Sequence, residues 1–107
     1  MNVSFDSFKK LDIRIGKIMS AEKVENSDKL LKLYVDFGTE KRQILSGIAH
    51  FYSTENLIGK EFPFIVNLEP RVIRGLESQG MILAVDVEDQ PILMSPDKEV
   101  PPGSIVK

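Results

Sequence analysis

Apolar residues recur at every second position through much of the chain, the period of strands with one buried face. The clearest run is LLKLYVDF. In it Leu31, Leu33, Val35 and Phe37 alternate with Lys32, Tyr34 and Asp36. Before it, DIRIGKI predicts a first strand through Ile13, Ile15 and Ile18. Its alternation shifts at Gly16, where a glycine marks a bulge or bend. VENSDK is the polar turn between the two strands, and GTEK reads as a hairpin turn. RQILSGI predicts a third strand and EFPFIVNL a fourth, whose Pro63 asks for a sheet edge or a strand start. MILAVDV predicts a fifth. PILMS and SIVK are short strands on either side of the turn-rich PDKEVPPG. Helical spacing occurs twice. Phe5, Phe8 and Leu11 follow Ser4 as a cap; STENLIG has Ser53 or Thr54 as cap and Gly59 as stop.

Three strands, a short helix and two more strands is the order of the OB-fold, a five-stranded Greek-key barrel. The chain is therefore expected to be one all-β domain, residues 1–107. A barrel core of about 11–86 carries short helices, and a C-terminal extension of short strands covers about 87–107. In this fold oligonucleotides lie across strands two and three, between the one-two loop and the four-five loop. Those loops are VENSDK and NLEPRVIRGLESQG. The second gathers two of the four arginines, with amides and hydroxyls, between Pro70, Gly75 and Gly80.

Composition narrows the chemistry. The net charge is −2, against a protein that simply coats nucleic acid. The acid excess is concentrated at the end: residues 1–85 carry +1 and residues 86–107 carry −3. The absence of cysteine excludes disulfides, thiolate metal sites and cysteine nucleophiles. No apolar run reaches membrane-span length, and the N-terminus lacks the basic-then-apolar order of a signal peptide. A soluble cytoplasmic protein without membrane contact is expected. His50 is the only histidine, a poor start for a zinc site or a triad, and reads as a boundary residue beside the second helix. No nucleotide or cofactor fingerprint is present, so no cofactor and no catalysis are expected.

The candidate site is an adhesive groove. Lys29, Lys41, Arg42, Arg71 and Arg74 are its candidate phosphate ligands, the arginines as bidentate forks. Asn67, Ser78 and Gln79 offer donors and acceptors to sugar hydroxyls or base edges. Met81 and Tyr34 offer soft or flat contact to a base, and Gly75 and Gly80 permit close backbone approach. Plainer readings stand beside these. The arginines form a solvated face, the glycines serve turns, Met81 belongs to the core and Asn67 caps a strand. Arg74 and Ser78 are both expected on a surface loop. Exposed rings are few, which favours reading a folded RNA by shape and backbone over gripping a loose strand.

The strings LDIRIGKI, SDKLLKLYVDFG, RQILSGI, ENLIGK, NLEPRVIRGLESQGMILA and VPPGS occur in that order. Together they resemble the tRNA-binding domain found at the C-terminus of many methionyl-tRNA synthetases, as free-standing beta subunits, in small bacterial tRNA-binding proteins and in a human cytokine precursor of the synthetase complex. The resemblance runs from about Phe5 to Lys107, and RGLESQGM is its most specific part. It implies a non-catalytic module that binds tRNA with little sequence preference and lends affinity to a synthetase catalytic body, fused or associated. It also implies a homodimer joined through the N-terminal turn and the extension after residue 86. By position it carries RNA contact to Lys29, Arg42, Asn67, Arg71, Arg74, Ser78, Gln79 and Met81. Val24, Glu25 and Leu31 depart from the histidine, proline and tyrosine that relatives often have there, which shifts weight to the four-five loop. Export chaperones of the same fold, which bind peptides as dimers, and a pure assembly module of a synthetase complex are the alternatives.

Overall fold

The computed structural model describes all residues, Met1–Lys107. The elements run α1 (Phe5–Phe8), β1 (Ile13–Lys23), β2 (Leu31–Asp36), β3 (Lys41–Ser46), α2 (Thr54–Leu57), β4 (Glu61–Ile65), β5 (Arg71–Ile73), β6 (Leu76–Ser78), β7 (Met81–Ile82), β8 (Ala84–Val87), β9 (Gln90–Leu93) and β10 (Ile105–Val106). The main sheet has the order β3-β2-β1-β4-β7, all neighbours antiparallel. It rolls into an OB-fold-like barrel, as the strand order predicts.

The alternation in β2 turns Leu31, Leu33 and Val35 fully inward. They meet Ile18, Ile44, Phe62, Phe64 and Leu57 in one core, where Phe37 and Phe64 pack edge to face at 5.4 Å. Each such side chain contributes about 1.5–3 kcal/mol by leaving water. α2 adds Leu57 to this core, and Gly59 (φ 84°) stands just past its end, as expected of a helix stop. Ser4 Oγ caps α1 through the Ser7 N–H at 3.1 Å.

Two details differ from the sequence reading. The bulge in β1 falls at Met19, between Ile18 and Ser20, and not at Gly16. Gly16 is needed for close packing: a Cβ there would lie 2.4 Å from Val35 and 2.7 Å from Phe37. β4 pairs with β1 only before the bulge, at residues 13–17, whereas β2 pairs on both sides of it, at 17–18 and 20–23. Pro63 sits within β4, between β1 and β7, and not at an edge. It is tolerated because Ile15, its partner on β1, bonds elsewhere: the Gly103 N–H donates to Ile15 O, and the Ile15 N–H donates to Ser104 O. On the β1 side no ladder donor is therefore asked of the proline. On the β7 side the Leu83 N–H donates to Pro63 O at 3.0 Å and Pro63 has no N–H to return, at the point where the β4–β7 ladder ends.

The predicted fifth strand divides at Leu83. β7 stays in the barrel, while β8 leaves to form a ribbon with β9 that Tyr52 holds. The Leu93 N–H donates to Tyr52 Oη (3.0 Å), which donates to Pro91 O (3.2 Å). The chain then returns across the barrel. Glu61, buried on β4, accepts the Val100 N–H at 2.9 Å, and β10 pairs with the start of β1.

Candidate nucleic-acid interface

The four-five segment is a tight hairpin with a two-residue turn. Ile73 faces Leu76 across β5 and β6, and Arg74 and Gly75 between them have φ of 55° and 78°. Positive φ at both turn positions defines a type I′ turn, which suits the strand twist and explains Gly75. It holds Arg74 out at the tip.

The underside of the hairpin is apolar. Ile73 and Leu76 pack on Val24 and Leu30, at the two ends of the β1–β2 loop, and on Leu45 of β3. The two loops expected to flank the groove are thereby joined by a small core of their own. Val24 and Leu31 are buried, so two of the three positions departing from the familiar pattern serve packing here, while Glu25 is exposed.

The hairpin also closes the barrel against β3. The Gln79 N–H donates to Gln43 O at 2.9 Å, and the Gln43 N–H donates to Gln79 Oε1 at 3.1 Å. Gln43 Nε2 reaches Glu77 O at 2.9 Å, and the Leu45 N–H donates to Ser78 Oγ at 3.0 Å. Ser78 Oγ then donates to Gly80 O at 2.9 Å. Gly80 passes so close to Ile65 O that a Cβ would sit 2.9 Å from it. The SQG string is thus the seam of the barrel.

The candidate residues fall into two groups. Lys29, Lys41, Arg71 and Arg74 are exposed and make no ion pair or side-chain hydrogen bond within the chain. Met81 is half-exposed on β7, and Tyr34 is exposed on β2. The others are engaged internally. Ser78 is buried and is not on a surface loop as expected; its hydroxyl is committed at the seam. Asn67 ties the N-terminal segment down: Oδ1 accepts the Asp12 N–H at 2.8 Å, and Nδ2 donates to Lys10 O at 2.6 Å. Arg42 bonds the Val66 and Gln79 carbonyls and pairs with Glu40. The Gln79 carbonyl oxygen is used, leaving its Nε2 without a partner in the chain.

Lys41, Arg42 and Gln79 line a polar groove of about 340 Å³, shared with Glu40 and Glu77. Beside it Arg14 donates from Nε to Asp12 at 2.8 Å. That hydrogen bond, then the Asp12 charge, raises the Arg14 pKa further above its ordinary value. Gln43, which knits the seam, had no signal in the sequence beyond its place on β3. The loops and this groove together hold Lys29, Lys41, Arg42, Arg71 and Arg74 against Glu25, Asp28, Glu40, Glu69 and Glu77. The two signs balance, so contact with an anion depends on placement and not on bulk field.

A barrel of this topology, with loops converging on one side of β2 and β3, is an oligonucleotide-binding type of domain. The chain matches the family described as "Putative tRNA binding domain" over residues 13–105 and belongs to it. It is 52% identical over 101 residues to a methionine–tRNA ligase of Methanothrix thermoacetophila, covering 94% of this chain and 15% of that protein. The chain thus spans about one-seventh of the length of that curated relative. In structure it is similar to a MetRS related protein from Pyrococcus horikoshii, with TM-score 0.95, 42% identity, and coverage of 100% and 99% of the two chains. It is also similar to the chaperone CsaA of Bacillus anthracis str. Ames, with TM-score 0.91, 29% identity and full coverage of both. No helix is long and apolar enough to cross a membrane.

Proposed function

We propose that this domain binds tRNA on the side where the β1–β2 loop and the β5–β6 hairpin meet. It reads shape and backbone with little sequence preference and has no active site of its own. The observation that carries this is the packing of Ile73 and Leu76 on Val24, Leu30 and Leu45. It brings cations of two distant segments, Lys29 with Arg71 and Arg74, onto one rigid support without internal partners. Such cations break no internal pair when they turn toward phosphate. Lys41, the Gln79 amide and Met81 extend the contact; Arg42, Asn67 and Ser78 hold it in shape. Linked to or associated with a methionyl-tRNA synthetase catalytic body in the cytoplasm, the domain raises the local concentration of tRNA there.

Homodimerisation fits the same reading. Phe5, Phe8, Met94, Ile105 and Val106 remain exposed. The last three lie at an apolar groove of about 430 Å³ with Ile15, Pro63 and Val100. The extension of about residues 87–107 and the N-terminal turn are therefore the surfaces we assign to the dimer, away from the RNA.

Titration of labelled tRNA at several salt concentrations tests the function. Four free cations predict a slope of log K on log salt of about −3, at about 0.7–0.9 per phosphate. Unfolded peptide, added as competitor, should leave the tRNA bound. A flat salt response contradicts the RNA reading. Displacement by peptide favours the chaperone alternative, and no affinity for either favours an assembly module.

A further inference from the structure

We propose that Phe51, beside His50 on the rim that also carries Lys29, is a stacking subsite for one unpaired nucleotide of the bound RNA. This rests on the tRNA-binding reading and adds a contact that cations do not supply.

The segment between β3 and α2 folds back onto the β1–β2 loop. The Ala49 N–H donates to Lys29 O at 3.0 Å, and His50 Nε2 lies 3.6 Å from Asp28 Oδ2. Segment and loop form a single rim. The segment is tightly wound, since Phe51 and Tyr52 both donate backbone N–H to Ile48 O (3.0 and 3.1 Å). Buried Ile48 and Leu57 anchor it on either side.

The six phenylalanines divide by use. Phe37, Phe62 and Phe64 are core. Phe5 and Phe8 stack on each other in α1 at 6.5 Å. Phe51 alone stands at the loop end of the barrel, 47% exposed and with no part in either cluster. Tyr52, beside it, already holds the β8–β9 ribbon, so Phe51 is not needed for that. The His50 ring is 6.5 Å away and tilted by 41°, so it does not stack on the phenyl ring. A nucleobase face covers such a ring favourably whatever its identity, and the Lys29 ammonium on the same rim suits the adjoining phosphate. Asp28 opposes Lys29 at this rim, so the contact is mainly one of stacking.

Phe51→Ala should weaken tRNA binding by about fivefold or more while leaving the salt slope unchanged. Thermal unfolding and sedimentation should match the parent. The chain has no tryptophan, so Phe51→Trp introduces a single reporter. Its fluorescence should be quenched by tRNA and not by polyphosphate, which carries charge without bases. Parental affinity in Phe51→Ala, or no quenching in Phe51→Trp, overturns the subsite while the RNA face stands on its arginines. A change in oligomeric state with Phe51→Ala would place the ring in a protein contact and also overturn it. If the parent protein binds no tRNA, the functional reading itself fails.

Discussion

Arg71→Ala combined with Arg74→Asn is expected to weaken tRNA binding by at least about tenfold at low salt. Two charge-assisted contacts of about 1.5–3 kcal/mol each set that scale. The salt slope should become shallower by about 1.5, the share of two phosphates. Asparagine is the right substitute at 74, because that position has φ 55° and Asn-Gly is the favoured type I′ pair. The turn then survives, and a loss of affinity reports the guanidinium. Both arginines are exposed and without internal partners, so the melting temperature should stay near that of the parent. Unchanged affinity in this double variant would remove the hairpin from the interface.

The second large effect is on stability. Gly103 has φ 91°, and a Cβ there would lie 2.1 Å from Phe37 O, against backbone that cannot yield. Gly38 meets Pro102 O in the same clasp, at 2.6 Å from its own would-be Cβ. The Gly103 N–H donates to Ile15 O at 2.7 Å, and the Ile15 N–H donates to Ser104 O at 2.9 Å. This clasp positions β10 and the apolar groove beside it. Gly103→Ala should cost about 2–4 kcal/mol, or about 10–20 °C in melting temperature for a domain of this size. Sedimentation of the folded fraction should show monomer if the extension forms the dimer. An unchanged melting curve would mean that the clasp gives way without cost, contrary to its geometry.

Much of this was legible because period-2 alternation is a direct record of burial. Leu31, Leu33, Val35 and Phe37 could be placed on the inner face from spacing alone, and the strand order then fixed which loops lie together. Pro63 misled because the rule for prolines concerns a missing donor, and no sequence shows that Gly103 and Ser104 take over the bonds of Ile15. Gly16 misled for a related reason: a glycine that ends an alternation and one that admits Val35 and Phe37 look alike in a string. For the candidate residues, exposure was legible only in part. Charge and turn chemistry pointed to Arg71 and Arg74. Ser78, Asn67 and Arg42 have the same polar character on paper, yet they bond backbone groups tens of residues away: Leu45 for Ser78, Lys10 and Asp12 for Asn67, Val66 and Gln79 for Arg42. A polar side chain that closes a barrel and one that awaits a ligand differ only in three dimensions.

The central claim is that tRNA meets this domain at the joined loops. Backbone amide resonances of the isotope-labelled protein, followed during titration with tRNA, test it most directly. Residues 24–30, 41–43 and 71–79 should shift or broaden first, while residues 92–107 and α1 stay unperturbed. Perturbation confined to the apolar groove at Ile15, Met94 and Ile105, with the hairpin silent, would contradict the account.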